Sequence, residues 1–262
     1  MRIQPNPLAT EAEWLAATLP GPLLEYVWQH RRRARLRDCR RQLRLFACAC
    51  CRRAWHLLPE RRLVHALQMC ERHADGLADD AQRSAARAEA HEAAGRAGAI
   101  PRGMAARGVW CAAEANALSA ACGAHIYAAN ARMHEALAAA GDFHSAREGR
   151  PLTATESRAV AGRAIRAEWG RHCLLARDIF GNPFRPVTLS PACRSPQVEA
   201  LAQAAYEQRE LPSGHLEPGR LAVLADALED AGCSGSSLLD HLRGPGPHVR
   251  GCWALDLLLG GV

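Results

Sequence analysis

Between Ala78 and Ala140, 26 of 63 residues are alanine. Alanine is the strongest helix former because it loses no side-chain entropy on entering a helix, and it contributes little to a pleated sheet. A chain with such a centre is committed to helix there. Ile100-Pro101-Arg102-Gly103 is predicted to break the run into two pieces. In the second piece Cys111, Leu118, Cys122, Ile126, Ala129, Met133 and Leu137 form a narrow apolar stripe. The stripe predicts an antiparallel helical hairpin with close backbone approach, and together with Trp110 it argues against low-complexity disorder.

The rest of the 262 residues extends this reading. Apolar residues make up 48% of the chain and aromatics only 5%, so the core must be built from small and aliphatic side chains. Thr10 with Glu13 spells a capping box, Pro20-Gly21-Pro22 breaks the short helix that follows, and LLEYVWQH begins another. Leu36 to Leu58 is predicted as the best-defined helix, with Leu36, Leu43, Phe46, Cys50, Ala54 and Leu57 on one stripe, and Arg37, Arg41, Arg44 and Arg52 on another face with Cys48 among them. A further helix covers Leu63 to Leu77, and Gly141 to Pro151 reads as a loop. Thr153 and Glu156 form a second capping box, opening a helix that stops at Gly181-Asn182-Pro183. Beyond a proline-rich crossing, short helices are predicted at Val198–Arg209, Arg220–Ala231, Ser236–Leu242 and Val249–Leu259. The fold expected is all-α, a multi-helix bundle in three regions: an N-terminal layer with a basic helix (1–78), an alanine-rich hairpin (79–150), and a C-terminal cluster of short helices packed on the N-terminal layer (151–262). Trp14, Phe46, Trp55, Trp169, Phe180, Phe184 and Trp253 are the expected buried anchors.

All 33 basic residues are arginine. Without lysine the chain has no Schiff-base amine, no phosphate-loop lysine and no kinase-type strand lysine. Twelve arginines fall between residues 31 and 62 against Asp38 and Glu60 alone. Arg31, Arg32, Arg33, Arg37, Arg41 and Arg44 are therefore candidate contacts for an anionic partner such as a nucleic acid. Only Gln42 on that helix could read base edges, and stacking aromatics are few. The alternative is a solvated face, or ion pairs with acidic groups such as Glu207, Glu210, Asp226, Glu229 and Asp230.

Eleven cysteines raise the question of metal or redox chemistry, most sharply in FACACCRRAWHLL from Phe46 to Leu58. Cys48 and Cys51 lie one helical turn apart, but zinc takes four ligands and no second CxxC pair follows. His241, His248 and Cys252 are the compact group that would complete a site, with His248 and Cys252 sharing a helical face if that helix begins early enough. The competing reading makes these thiols packing groups, with Cys50 in the core, Cys51 half-buried, and Cys48 the reactive one because cations beside it would lower its pKa. Asp226, Glu229 and Asp230 share a face that reads as solvated. His91-Glu92 and His134-Glu135 lack the second histidine of HExxH, Gly232-Cys233-Ser234-Gly235 lacks GxSxG spacing, and prolines spoil Gly244-Pro245-Gly246 as a dinucleotide loop. The first residues, MRIQPNPLATEAEW, show no apolar signal core, and no long apolar run follows, so a cytoplasmic protein with free thiols is expected.

TEAEWLA, LRLFACACCRRAWHLL, ERHADGLA, RDIFGNPFRPV, LADALEDAGC and HLRGPGPHVRGCWALDLLLG resemble the landmarks of a planctomycete-type bacterial family with an alanine-rich variable centre. The resemblance covers roughly residues 9 to 80 and 174 to 260. It implies no reaction, ligand or catalytic residue. LADALEDAG is also similar to an acidic helix-and-turn of a short companion domain found beside repeats in such bacteria, which favours an interaction role by association. The function expected is thus a non-catalytic protein-interaction or regulatory module with another protein as partner, no membrane and no cofactor. Nucleic-acid association through Arg31–Arg53 is the alternative, and a zinc- or thiol-dependent protein the third reading.

Overall fold

The structure is a computed structural model that describes residues 8–33, 39–58, 60–98, 100–190 and 193–260, the side chains of residues 31–33 excepted. Among the described residues it contains twelve α-helices and no strand. None of these helices is long and apolar enough to cross a membrane.

α1 (Glu11–Ala16) starts on the expected box, with the Thr10 hydroxyl accepting from Glu13 N–H and the Glu13 carboxylate accepting in return. Pro20 opens α2 (Pro20–Arg33) rather than merely ending α1, because a proline in the first helical turn gives up a donor that has no partner there anyway. α3 (Arg40–Arg52) is the hub. Every residue from Leu43 to Arg52 is buried, so this helix has no solvent face beyond its first turn. Leu43, Phe46 and Cys50 join a first core with α1, α2, α7 (Ala117–Glu148) and α8 (Ala154–Phe180). Ala47, Cys48 and Cys51 join a second core with α4 (Arg61–Ala74), α5 (Asp80–Arg96) and α6 (Ile100–Ala112).

The alanine-rich stretch differs from expectation in two ways. It makes three helices: α5 ends at Arg96, so the expected break falls just before Pro101, which lies inside the first turn of α6, and a second break comes at residues 113–116, where the Asn116 side chain accepts from Ser119 N–H and starts α7. The expected loop at Gly141–Pro151 is largely helical: α7 runs through Gly141, which costs a helix only about 1 kcal/mol, and stops at Gly149 with φ +69°. Small residues do allow the close approach anticipated. A Cβ built on Gly123 of α7 would lie 2.8 Å from both Cβ and Sγ of Cys111 on α6. Between Arg132 and Ala167 no residue is fully buried, so the distal halves of α7 and α8 form an arm.

α9 (Pro196–Glu207), α10 (Pro218–Asp230), α11 (Ser236–Arg243) and α12 (Trp253–Leu258) enclose a core of their own, from Cys193 to Leu258. α12 is shorter than predicted because Gly251 takes φ +89° where a Cβ would strike Leu45 Cδ1 at 2.7 Å. Of the expected anchors, Trp14, Phe46 and Phe180 are buried, while Trp55, Trp169, Phe184 and Trp253 are half-buried. Trp253 packs closely on Gly181, where a Cβ would meet its ring at 3.2 Å.

Candidate metal centre

Asp178 stands in the last turn of α8, where the negative end of the helix dipole disfavours a carboxylate. It is nonetheless 3% exposed. What holds it are nitrogen groups from the C-terminal cluster. Val249 N–H donates to Oδ2 at 2.9 Å, and His248 Nδ1 and His241 Nε2 approach Oδ1 at 3.1 and 3.2 Å. Burial opposes the charge, but these contacts win and keep the Asp178 carboxyl below its usual range.

Cys252 completes the group, its Sγ 3.1 Å from His241 Nε2. The four ligand atoms of Asp178, His241, His248 and Cys252 all lie within 4.8 Å of one another. A tetrahedral zinc ion, with bonds of about 2.0 to 2.3 Å, sets neighbouring ligand atoms roughly 3.4 Å apart, and three of the pairs here lie at 3.1 to 3.2 Å.

The protons point the same way. His248 Nε2 lies 3.2 Å from the carbonyl oxygen of Gly244, which can only accept, so that nitrogen carries the hydrogen. In a neutral ring Nδ1 is then a lone pair, yet it faces the Asp178 carboxylate. Two acceptors at 3.1 Å require a positive charge, supplied by a second proton or by a cation between them. A ring that donates one N–H to a backbone carbonyl and directs its other nitrogen at a shared centre is the usual setting of a metal-bound histidine. At His248 burial opposes a second proton, while the Asp178 carboxylate favours it and raises the pKa. Burial also pushes the Cys252 thiol well up, and Asp178 adds to that, so without a cation the thiol keeps its proton. One divalent ion with one carboxylate, one thiolate and two neutral imidazoles would be a charge-balanced centre.

The same residues do not form a nucleophilic triad. A triad engages both ring nitrogens of its histidine, one toward the nucleophile and one toward the acid. Here the single Nε2 of His241 meets both Cys252 and Asp178. Cys252 is fully buried, and His241 is covered on one side by the Trp253 ring at 4.8 Å between centroids.

Three of the ligands anticipated from sequence, His241, His248 and Cys252, are thus brought together. His248 and Cys252 meet through the turn closed by Cys252 N–H on Val249 O, and not on one helical face, because the helix begins only at Trp253. Cys48 and Cys51 lie in the α3–α6 core, away from this group. Cys48 is not the reactive thiol expected: its hydrogen bond with Cys70 and its burial drive its pKa well up. Cys51 is fully buried rather than half-buried. Asp178 was missed, although an aspartate in the last turn of a long helix is out of place electrostatically and is a signal in itself.

The arginines of α3 also differ from expectation. Arg44 donates to the carbonyls of Ala112, Glu114 and Ala115 and so caps the end of α6. Arg41 pairs with Asp256 at 2.6 Å and Asp75 at 2.9 Å and donates to the Tyr206 hydroxyl at 2.7 Å. Arg52 pairs with Glu71, and Arg53 with Glu168. The acidic partners are Glu71, Asp75, Glu168 and Asp256, because those carboxylates face α3 from α4, α8 and α12; Asp226 and Glu229 instead pair with Arg243. Arg41 and Arg44 offer no exposed basic face for nucleic acid. The side chains of Arg31, Arg32 and Arg33, and Arg37 as a whole, lie outside the described residues. No protein family, curated protein or solved structure matches the chain.

Proposed function

We propose that this chain is a non-catalytic helical module, serving protein interaction or regulation in the cytoplasm, in which a zinc ion bound by Asp178, His241, His248 and Cys252 fastens the C-terminal helices to α8. The observation that carries the zinc reading is the pairing of His248 Nδ1 with the Asp178 carboxylate while Nε2 is committed to Gly244 O. Four protein ligands leave no open position for a substrate or water, which marks a structural ion rather than a catalytic one. The absence of a second use for the thiols supports the same reading, since Cys48, Cys50 and Cys51 are consumed in packing.

Metal analysis of the purified chain tests this. One zinc per chain is expected, with cobalt substitution giving the absorption of a tetrahedral thiolate complex. Cys252→Ser and His241→Ala should each weaken binding at least roughly tenfold. A chain that takes up neither zinc nor cobalt when supplied with them would dismiss the site.

A further inference from the structure

Resting on that zinc reading, the geometry points to a regulatory role for the ion: its occupancy governs whether the α9–α12 cluster is docked on the rest of the molecule. Three ligands, His241, His248 and Cys252, come from this cluster, and the fourth, Asp178, comes from α8. An ion held by both sides stabilises only the arrangement in which they meet.

The remainder of the joint is built for separation. The cluster has its own apolar core. Its connector from Gly181 to Ser190 contains no helix. Across the joint the main links are ionic. Asp75 receives Arg250 Nε at 2.6 Å and the Tyr206 hydroxyl at 2.9 Å, and Arg209 reaches Glu71 at 3.1 Å. Buried ion pairs give little net stability, because each charge regains its hydration when the surfaces part. Apolar contact across it includes Val249 in the first core, Gly251 on Leu45 and Trp253 on Gly181.

Hydrogen exchange of the full chain, zinc-loaded and after chelation, reads this directly, with zinc content measured on the same samples. The amide of Val249, which bonds to Asp178 Oδ2, reports the joint. The amides of Leu224 to Leu228 in α10 report the cluster core. With free zinc at 100 times its dissociation constant, chelation should speed joint exchange roughly 100-fold and leave α10 unchanged. Zinc bound but exchange unaltered overturns the latch and leaves the zinc site standing. Loss of α10 protection along with the joint means the ion folds the cluster instead of docking it, which also overturns the latch. No zinc uptake removes the site and the latch together. His241→Ala, which truncates the most exposed ligand, should shift joint exchange in the presence of zinc toward the chelated pattern.

Discussion

Arg52 on α3 and Glu71 on α4 meet as a two-pronged ion pair, Nε to Oε1 at 2.6 Å and Nη2 to Oε2 at 2.9 Å, with each side chain 3% exposed. Burial opposes the charge of Glu71, but Arg52 and then Arg209 more than offset it and hold the carboxyl below its ordinary range. Removing one partner of such a pair strands a charge where water cannot reach it.

Arg52→Met should therefore cost about 3 kcal/mol, toward the low end for a buried pair because Arg209 remains on Glu71. Arg52→Met with Glu71→Met should cost clearly less than the two single changes added together. Urea denaturation of the four proteins gives the comparison, and simple additivity would mean the pair carries no coupling.

Two glycines of α7 should respond to alanine with opposite signs. Gly141 has open space around it, so Gly141→Ala should stabilise by about 0.5 to 1 kcal/mol through helix propensity alone. At Gly123 the new methyl would press on Cys111, and Gly123→Ala should destabilise by about 1 to 2 kcal/mol despite the same propensity gain. Thermal melts of both variants decide it, and a shared sign would show that α6 and α7 are not in close contact.

His125 sits buried beside Phe46 and His172, and its Nδ1 has no hydrogen-bond partner among the described residues. Burial first, and His172 second, lower its pKa to about 4. The unfolded chain takes up a proton near pH 6.5, which the folded chain refuses until about pH 4. Stability from this group is complete above the unfolded value and is lost as pH falls through that window, by up to about 3 kcal/mol. His125→Leu should flatten the acid side of the stability profile, which urea midpoints at neutral pH and about pH 4.5 would reveal. An unchanged slope would mean that His125 is charged in the native state.

Native alkylation should separate the thiols by burial. Cys111 and Cys122 are half-buried and should label first, while Cys48, Cys50 and Cys51 should react about 100-fold more slowly or only after unfolding. Mass spectrometry of the labelled peptides follows each site. Early modification of Cys48 would show that α3 has an open face.

Much of the helical skeleton was legible in the residues because its signals are local. Both capping boxes sit where Thr10 and Thr153 place them, and Gly181 ends α8 as its position suggested. Two misreadings of local structure concern glycine and proline, whose effect depends on where in a helix they fall. Pro101 could sit in a first turn, and Gly141 could be carried inside α7. The centre was legible in part. His241, His248 and Cys252 are close in the chain, and their grouping could be guessed from spacing. Asp178 could not, since it is 70 residues from His248.

Alanine density, helix caps and the scarcity of aromatics determined, from the sequence alone, that this protein is a bundle of helices with small side chains at their contacts. Whether an arginine faces water or a carboxylate, and whether a thiol packs or ligates, was decided only in three dimensions. Helix periodicity says which residues share a face but not what that face meets. The partner of Arg41 at Asp256 is 215 residues away, and burial, which sets the cost of every charge here, exists only once such distant elements have closed around it.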